Sequence, residues 1–330
     1  MTTKTLFAAL VALLVLVPLV PGLVYPIFVM KVMAYGLFAC AFNLLLGFTG
    51  LVSFAHAAFL GTAGYVTGAL MIRLGAHPLG VPAAFLAGVA ASALVGFAIG
   101  GLAIRRRGIY FAMITLALSQ IVYFLAVQFC WTGGEDGLQG IPRGTLLGLV
   151  DLSNDTAMYY VALALFAAGF LFIDRVVHSP FGQILQAVRD NEARAVSLGY
   201  DASRFQLLAF VLSAALAGYA GALKALVFGL VSLNDVSLHT STEVVLMTLL
   251  GGVGTLFGPL VGAALVVGLQ NYLATIGDLV TVVIGLIFIL CVSFFSRGVV
   301  GEWLHWRHRR AARAARPLPE AEHPPVAEAA

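Results

Sequence analysis

Charge is what this sequence has least of. Charged residues fill 10% of its 330 positions, hydrophobic residues fill 61%, and mean hydropathy is +1.01. A soluble domain carries roughly 25% charged residues because its surface must face water. There are too few charges here to cover a soluble globule of this length. Lysine occurs only at Lys4, Lys31 and Lys224. None of them follows a glycine-rich loop, and no G-x-x-x-x-G-K-[ST] phosphate loop occurs anywhere. Cys40, Cys130 and Cys291 lie in or beside apolar runs. They match neither a disulfide framework nor metal-ligand spacing, and they are expected only to pack. No nucleophile stands beside a plausible base, so neither metal nor cofactor is expected. No polar stretch is long enough to build the basic face that nucleic acid requires.

What is present is apolar sequence in long runs, recurring from residue 6 to residue 295. A helix needs ~20 mostly apolar residues to cross ~30 Å of hydrocarbon. A transmembrane β-barrel would alternate in short segments instead. The sequence therefore predicts an all-α, polytopic transmembrane helical bundle of about eight to ten spans, some interrupted or re-entrant. The expected spans lie near 6–24, 27–46, 50–72, 81–104, 109–130, 157–175 and 205–230. A shorter pair follows at 242–256 and 258–275, and a last span at 279–296. The first run follows Lys4 in the manner of a signal peptide. It is too long for a signal h-region and no small-x-small cleavage site follows, so it reads as a span.

Arginine placement sets the expected orientation. The clusters are at 105–107, 175–204 and 297–316. If Lys4 is cytoplasmic, four spans place the first cluster there, six place the second, and two or four more place the third. Both termini are then cytoplasmic, and 131–156 and 232–241 lie outside. A transmembrane domain over 1–300 is expected to end in a disordered cytoplasmic tail over 301–330. Its basic residues suit anionic lipid headgroups.

The longest internal polar region is 178–205, HSPFGQILQAVRDNEARAVSLGYDASRF. Pro180 cannot continue a preceding helix. Phe181, Ile184, Leu185 and Val188 then repeat at helical spacing. Asp190 and Asn191 interrupt, and residues 193–198 form a second short helix. Gly199 suits a left-handed C-cap, and Asp201 or Ser203 can cap the next span. Arg189, Asp190, Glu192 and Arg194 make this either a solvated loop between helices or a charged docking surface.

The stretch AVRDNEARAVSLGYDASRFQLLAFVLSAALAGYAGAL, 187–223, resembles the permease subunits of ABC importers for branched-chain amino acids, the LivM type. Three more segments resemble the same family in order: NLLLGFTGLVSFAHAAFLGTAGY at 43–65, RGIYFAMITLALSQI with the later TGGEDGLQGIP within 107–142, and LLGGVGTLFGPLVGAAL at 249–265. The spacing from Glu192 to Gly199 is one residue longer than the general importer motif and fits the LivM variant. The resemblance implies a bacterial inner-membrane permease that moves branched-chain or related amino acids by alternating access. It implies ATPase coupling through Arg189, Asp190, Asn191, Glu192, Arg194, Leu198 and Gly199. It also implies a second homologous permease subunit, two cytoplasmic ATPase subunits and a periplasmic substrate-binding protein. Urea, short amides or aromatic acids are alternative cargo.

Two glycine-rich stretches interrupt the spans, one from Gly47 through Gly50 and Ser53 to His56, the other from Gly251 through Gly252 and Gly254 to Gly258. Irregular backbone at membrane depth needs surrounding protein or a water-filled cavity, and transporters place substrate sites at such breaks. Asn43, Gly47, Thr49, Gly50, Ser53, His56, Gly251, Gly252 and Gly254 are the candidate translocation path. Close helix packing is the competing role, above all for Gly254, Gly258 and Gly262, and for Gly64 with Gly68. Lys224 stands roughly 28 Å along its helix from Phe205. It is expected to snorkel at the outer interface rather than bind a substrate carboxylate. An ion-coupled transporter would instead need a buried relay, for which His56, Glu243 and Asp278 are the candidates.

Overall fold

The computed structural model describes residues 3–19, 25–74, 77–146, 148, 150–273, 279–294 and 298–302. Six helices in it are long and apolar enough to cross a membrane. They are α2 (Pro26–Thr49), α3 (His56–Leu74), α4 (Gly80–Ala103), α5 (Ile109–Gln128), α6 (Asp155–Val177) and α9 (Ala202–Phe228). At ~1.5 Å per residue the 24 residues of α2 reach about 36 Å. Four further apolar helices are shorter: α1 (Thr3–Leu16), α10 (Leu238–Gly251), α11 (Gly258–Leu273) and α12 (Leu279–Phe294). The 14 residues of α10 reach only about 21 Å. Between α6 and α9 lie two short polar helices, α7 (Pro180–Asp190) and α8 (Glu192–Ser197).

The span expected at 50–72 begins six residues late, because Gly50 ends α2 at φ +74° and residues 50–55 are not helical. The tail beyond residue 302 lies outside the described residues, as do Asp278 and the side chains of Lys4 and Cys291. Cys40 is buried as expected of a packing residue, but Cys130 is exposed in a short turn after α5.

Of the six candidate spans, α2 and α9 are the most enclosed and α5 the least. The outward faces of α4 and α5 carry Leu86, Leu94, Phe97, Tyr110, Met113 and Phe124, all exposed. Apolar residues on both faces are what a lipid-embedded helix requires. Small residues let the central helices approach closely. A Cβ on Gly221 of α9 would lie 2.0 Å from the Leu60 carbonyl of α3, and one on Gly96 of α4 would lie 2.4 Å from Ala214 Cβ. Hydroxyls join helices where backbone acceptors are within reach. Ser92 donates to the Ala214 carbonyl at 2.7 Å, Tyr219 to Leu165 at 2.9 Å, and Tyr159 to Leu14 at 2.7 Å.

Gly258 and Gly262 pack α11 onto α10. A Cβ on Gly262 would fall 1.7 Å from the Met247 carbonyl. Gly64 packs as expected towards a helix, its Cβ position 3.7 Å from the Gly221 carbonyl of α9 as well as against Val231, whereas Gly68 faces Leu138 and Ile141 of a connecting segment.

The two ends of the bundle are chemically distinct. At one end Arg107, after α4, pairs with Glu192 of α8 at 2.6 Å. At the other end Leu138 and Val231 exchange backbone hydrogen bonds of 2.9 and 2.8 Å, and Arg143 caps the Val227 carbonyl at 2.9 Å. The connections at 129–154 and 229–237 therefore share one end, and the arginine corner and α7–α8 share the other.

Candidate functional site: two helix breaks and the α7–α8 element

The first break is held by side chains from α5 and α10 and by Ser53 within it. Phe54 N–H donates to Thr115 Oγ1 of α5 at 3.2 Å. Ser241 of α10 donates to the Phe54 carbonyl at 2.7 Å and accepts from Ala57 N–H at 3.1 Å. Ser53 is fully buried and accepts from Ala55 N–H at 3.2 Å. These bonds satisfy backbone groups that the break removes from the helical ladder, which lipid could not do. His56 opens α3 fully buried, with Nε2 2.9 Å from Ser213 Oγ. Ser213 donates its own proton to the Ala41 carbonyl at 2.6 Å. With that proton committed, Ser213 Oγ accepts from His56 Nε2, and the imidazole stands roughly perpendicular to the rings of Phe42 and Phe59. Thr49 bonds back to the Leu45 carbonyl.

The second break, between α10 and α11, meets the C-terminal part of α2. Gly252 and Gly254 have φ of +119° and +76°. Asn43 Nδ2 donates to the Thr255 carbonyl at 2.9 Å, and Asn43 Oδ1 accepts from Gly254 N–H at 2.9 Å. The approach is so close that a Cβ on Gly47 would lie 2.6 Å from Gly254 N. Gly251 is closed off in the same way, its Cβ position 1.9 Å from the Gly258 carbonyl. Asn43, Gly47 and Gly254 thus form one junction, with Gly251 closing the α10–α11 turn behind it and Gly50 beside it, while Thr49 bonds back within α2, and Ser53 and His56 belong to a separate network around Ser241 and Ser213.

α7 and α8 are built as their sequence predicts. Ser179 caps α7, Pro180 occupies its first turn, and Gly182, Leu185 and Val188 are buried at three-residue spacing. Val188 packs with Ala195 of α8 and Ala202 of α9. Asn191 ends α7 and caps α8, accepting from Arg194 N–H at 3.0 Å. Gly199 follows at φ +90°, with Gly199 N–H to Val196 and Tyr200 N–H to Ala195. That is the bonding of a Schellman C-cap. Asp201 caps α9 through Arg204 N–H at 3.2 Å. Asp190, Asn191, Arg194 and Leu198 are exposed. Arg189 is different: its guanidinium crosses to α2 and donates to the Gly47 carbonyl.

Lys224 does not snorkel. Its side chain is 11% exposed and ion-paired with Asp235, itself 4% exposed. Helix length alone placed it at an interface, but the segment 231–236 folds inward over it. Asp235 also accepts from Ser232 N–H at 3.2 Å. Sequence reading missed Asp235, and the Ser-x-x-Asp capping spacing at 232–235 was the available signal. Glu243 is held by Gln270 at 2.6 Å and by His239 at 3.5 Å. His56 shares no bond with any of these groups.

Long apolar helices, side-chain-stitched breaks and a polar helix pair at one end define a multi-pass membrane transport protein. Residues 24–292 match the profile of the branched-chain amino acid transport system permease components, and the chain belongs to that family. It is 30% identical over 298 residues to the high-affinity branched-chain amino acid permease LivM of Salmonella typhimurium, covering 81% of this chain and 68% of that one. It is 24% identical to BraD of Pseudomonas aeruginosa, covering 81% and 91%. The autoinducer 2 import permease LsrC of Klebsiella pneumoniae is 31% identical over 167 residues, 47% of this chain and 46% of that one. No solved structure matches at the same stringency.

Proposed function

We propose that this chain is the permease subunit of an inner-membrane ABC importer for branched-chain or related amino acids. It works with a second homologous permease, two cytoplasmic ATPases and a periplasmic binding protein. The observation that carries this reading is the exposed α8 and its cap, mounted on amphipathic α7 at the arginine-rich end. A purely solvated loop needs neither a buried face nor three consecutive side-chain caps. Arg194, Leu198 and Gly199 would present the surface that an ATPase engages, with Asp190, Asn191 and Glu192 setting its angle. The arginine corner supports a cytoplasmic position for that end, with 129–154 and 229–237 facing the binding protein. Relatives named for branched-chain amino acids support the cargo class. The breaks at 50–55 and 252–257 are the proposed moving parts of the path. The domain is proposed to run over 1–300, with 301–330 as a tail.

The test is reconstitution in proteoliposomes with candidate ATPases and a binding protein loaded with leucine. The expected result is ATP hydrolysis stimulated by loaded binding protein, together with leucine uptake. Uptake driven by an ion gradient without ATP would overturn it.

A further inference from the structure

Two charged side chains of α7 and α8 reach onto the bundle: Glu192 pairs with Arg107, and Arg189, 38% exposed, lays its guanidinium on the end of α2. Its Nη1 donates to the Gly47 carbonyl, while Nε and Nη2 hold Asp190 Oδ1 at 3.1 and 3.0 Å. Gly47 sits in the last turn of α2, where carbonyls lack intrahelical partners. Gly50 N–H turns back to Leu46 and Leu51 N–H to Leu45, so neither takes the Gly47 carbonyl. A guanidinium at a helix C-terminus also meets the negative end of the macrodipole. The side chain lies flat in this corner: a Cβ on Gly50 would be 3.0 Å from Arg189 Cγ, and one on Gly254 would be 3.8 Å from Nη1. Arg189 therefore stands where the end of α2 and the α10–α11 turn meet, and Asn43 locks those two together four residues back along α2.

On the α8 side, Asn191 is extended, with φ −158° and ψ +96°, so α7 and α8 are separate helices that meet at that residue. We infer that Arg189 is a positioning residue for transport, a strut that carries displacement of α7 to the α2 end and the α10–α11 turn. α8 makes the docking contact. This division of labour rests on the ATPase-coupled reading above. It adds a separate claim, that coupling enters the membrane bundle through one guanidinium on a helix-terminal carbonyl.

The test compares Arg189→Ala and Arg189→Lys with the parent chain, in the full complex and alone in lipid nanodiscs. In the complex, Arg189→Ala is expected to retain co-purifying ATPase and to lower amino acid uptake per ATP hydrolysed by tenfold or more. Arg189→Lys, which keeps one donor for the Gly47 carbonyl, recovers part of that ratio. A merely structural role would lower assembly and leave the ratio unchanged. In nanodiscs without partners, Arg189→Ala should raise amide hydrogen exchange across 250–257 while exchange in α3 and α4 stays as in the parent. A parental uptake-to-hydrolysis ratio in Arg189→Ala overturns the strut. If the parent complex shows no ATP-driven uptake, the coupled reading itself fails. Exchange then decides for Arg189: unchanged exchange across 250–257 refutes the contact's role, and raised exchange upholds it.

Discussion

Asn43 grips Gly254 and Thr255 with both ends of its amide, accepting from one and donating to the other at 2.9 Å each. The side chain is 3% exposed, so water cannot replace either bond. Asn43→Asp removes the donor to Thr255, and Asn43→Leu removes both bonds. Each buried polar group left unpaired costs about 1–3 kcal/mol. Thermal unfolding in detergent should fall for both variants, further for Leu. An unshifted Asn43→Leu would mean that this contact does not hold the junction.

The Lys224–Asp235 pair invites a double-mutant cycle. Removing one partner of a buried pair costs about 3–5 kcal/mol, because the other charge stays buried and alone. Lys224→Met and Asp235→Leu should each lower the unfolding midpoint strongly. The double variant should recover much of that loss, since packed apolar residues can replace a buried pair. Additive losses would show that the two side chains act independently.

Glycines in α11 should divide sharply. A Cβ at Gly262 meets the Met247 carbonyl at 1.7 Å, whereas one at Gly268 meets nothing within 4 Å. Gly262→Ala should cost about 1–3 kcal/mol or more from overpacking. Gly268→Ala should be neutral, or gain roughly 0.5–1 kcal/mol from helix propensity. Yield of monodisperse protein and unfolding midpoint read both.

Gly199 has open space around its Cβ position but a φ of +90°. Gly199→Asp should cost about 1–2 kcal/mol in backbone strain alone, too little to unfold a multi-helix bundle. Membrane insertion should persist, while stimulated ATP hydrolysis and uptake fall together. Parental uptake at normal expression would remove this cap from the coupling surface.

The two ends can be told apart by labelling. Cys130 is exposed at the end opposite α8. In a Cys291→Ser background, an impermeant maleimide added to intact spheroplasts should modify Cys130, and should not modify Val196→Cys until the membrane is opened. The reverse pattern would invert the proposed orientation.

Membrane class, helix breaks and caps were legible in the residues because each is a local matter. Charge scarcity dictates lipid, Pro180 dictates a stop, and Gly199 suits a conformation that side chains disfavour. None of these needs a distant partner. The partners themselves were not legible. Asn43 with Gly254, Arg189 with Gly47 and the burial of Lys224 depend on which helix faces meet. In a soluble helix the apolar stripe marks the inward face. Here lipid and protein interior are equally apolar, so hydropathy carries no face information, and Lys224 could be placed only by counting along its helix. The tertiary structure decided that the α10–α11 break packs on the end of α2. Only packing brings a missing Cβ on one helix against the backbone of another.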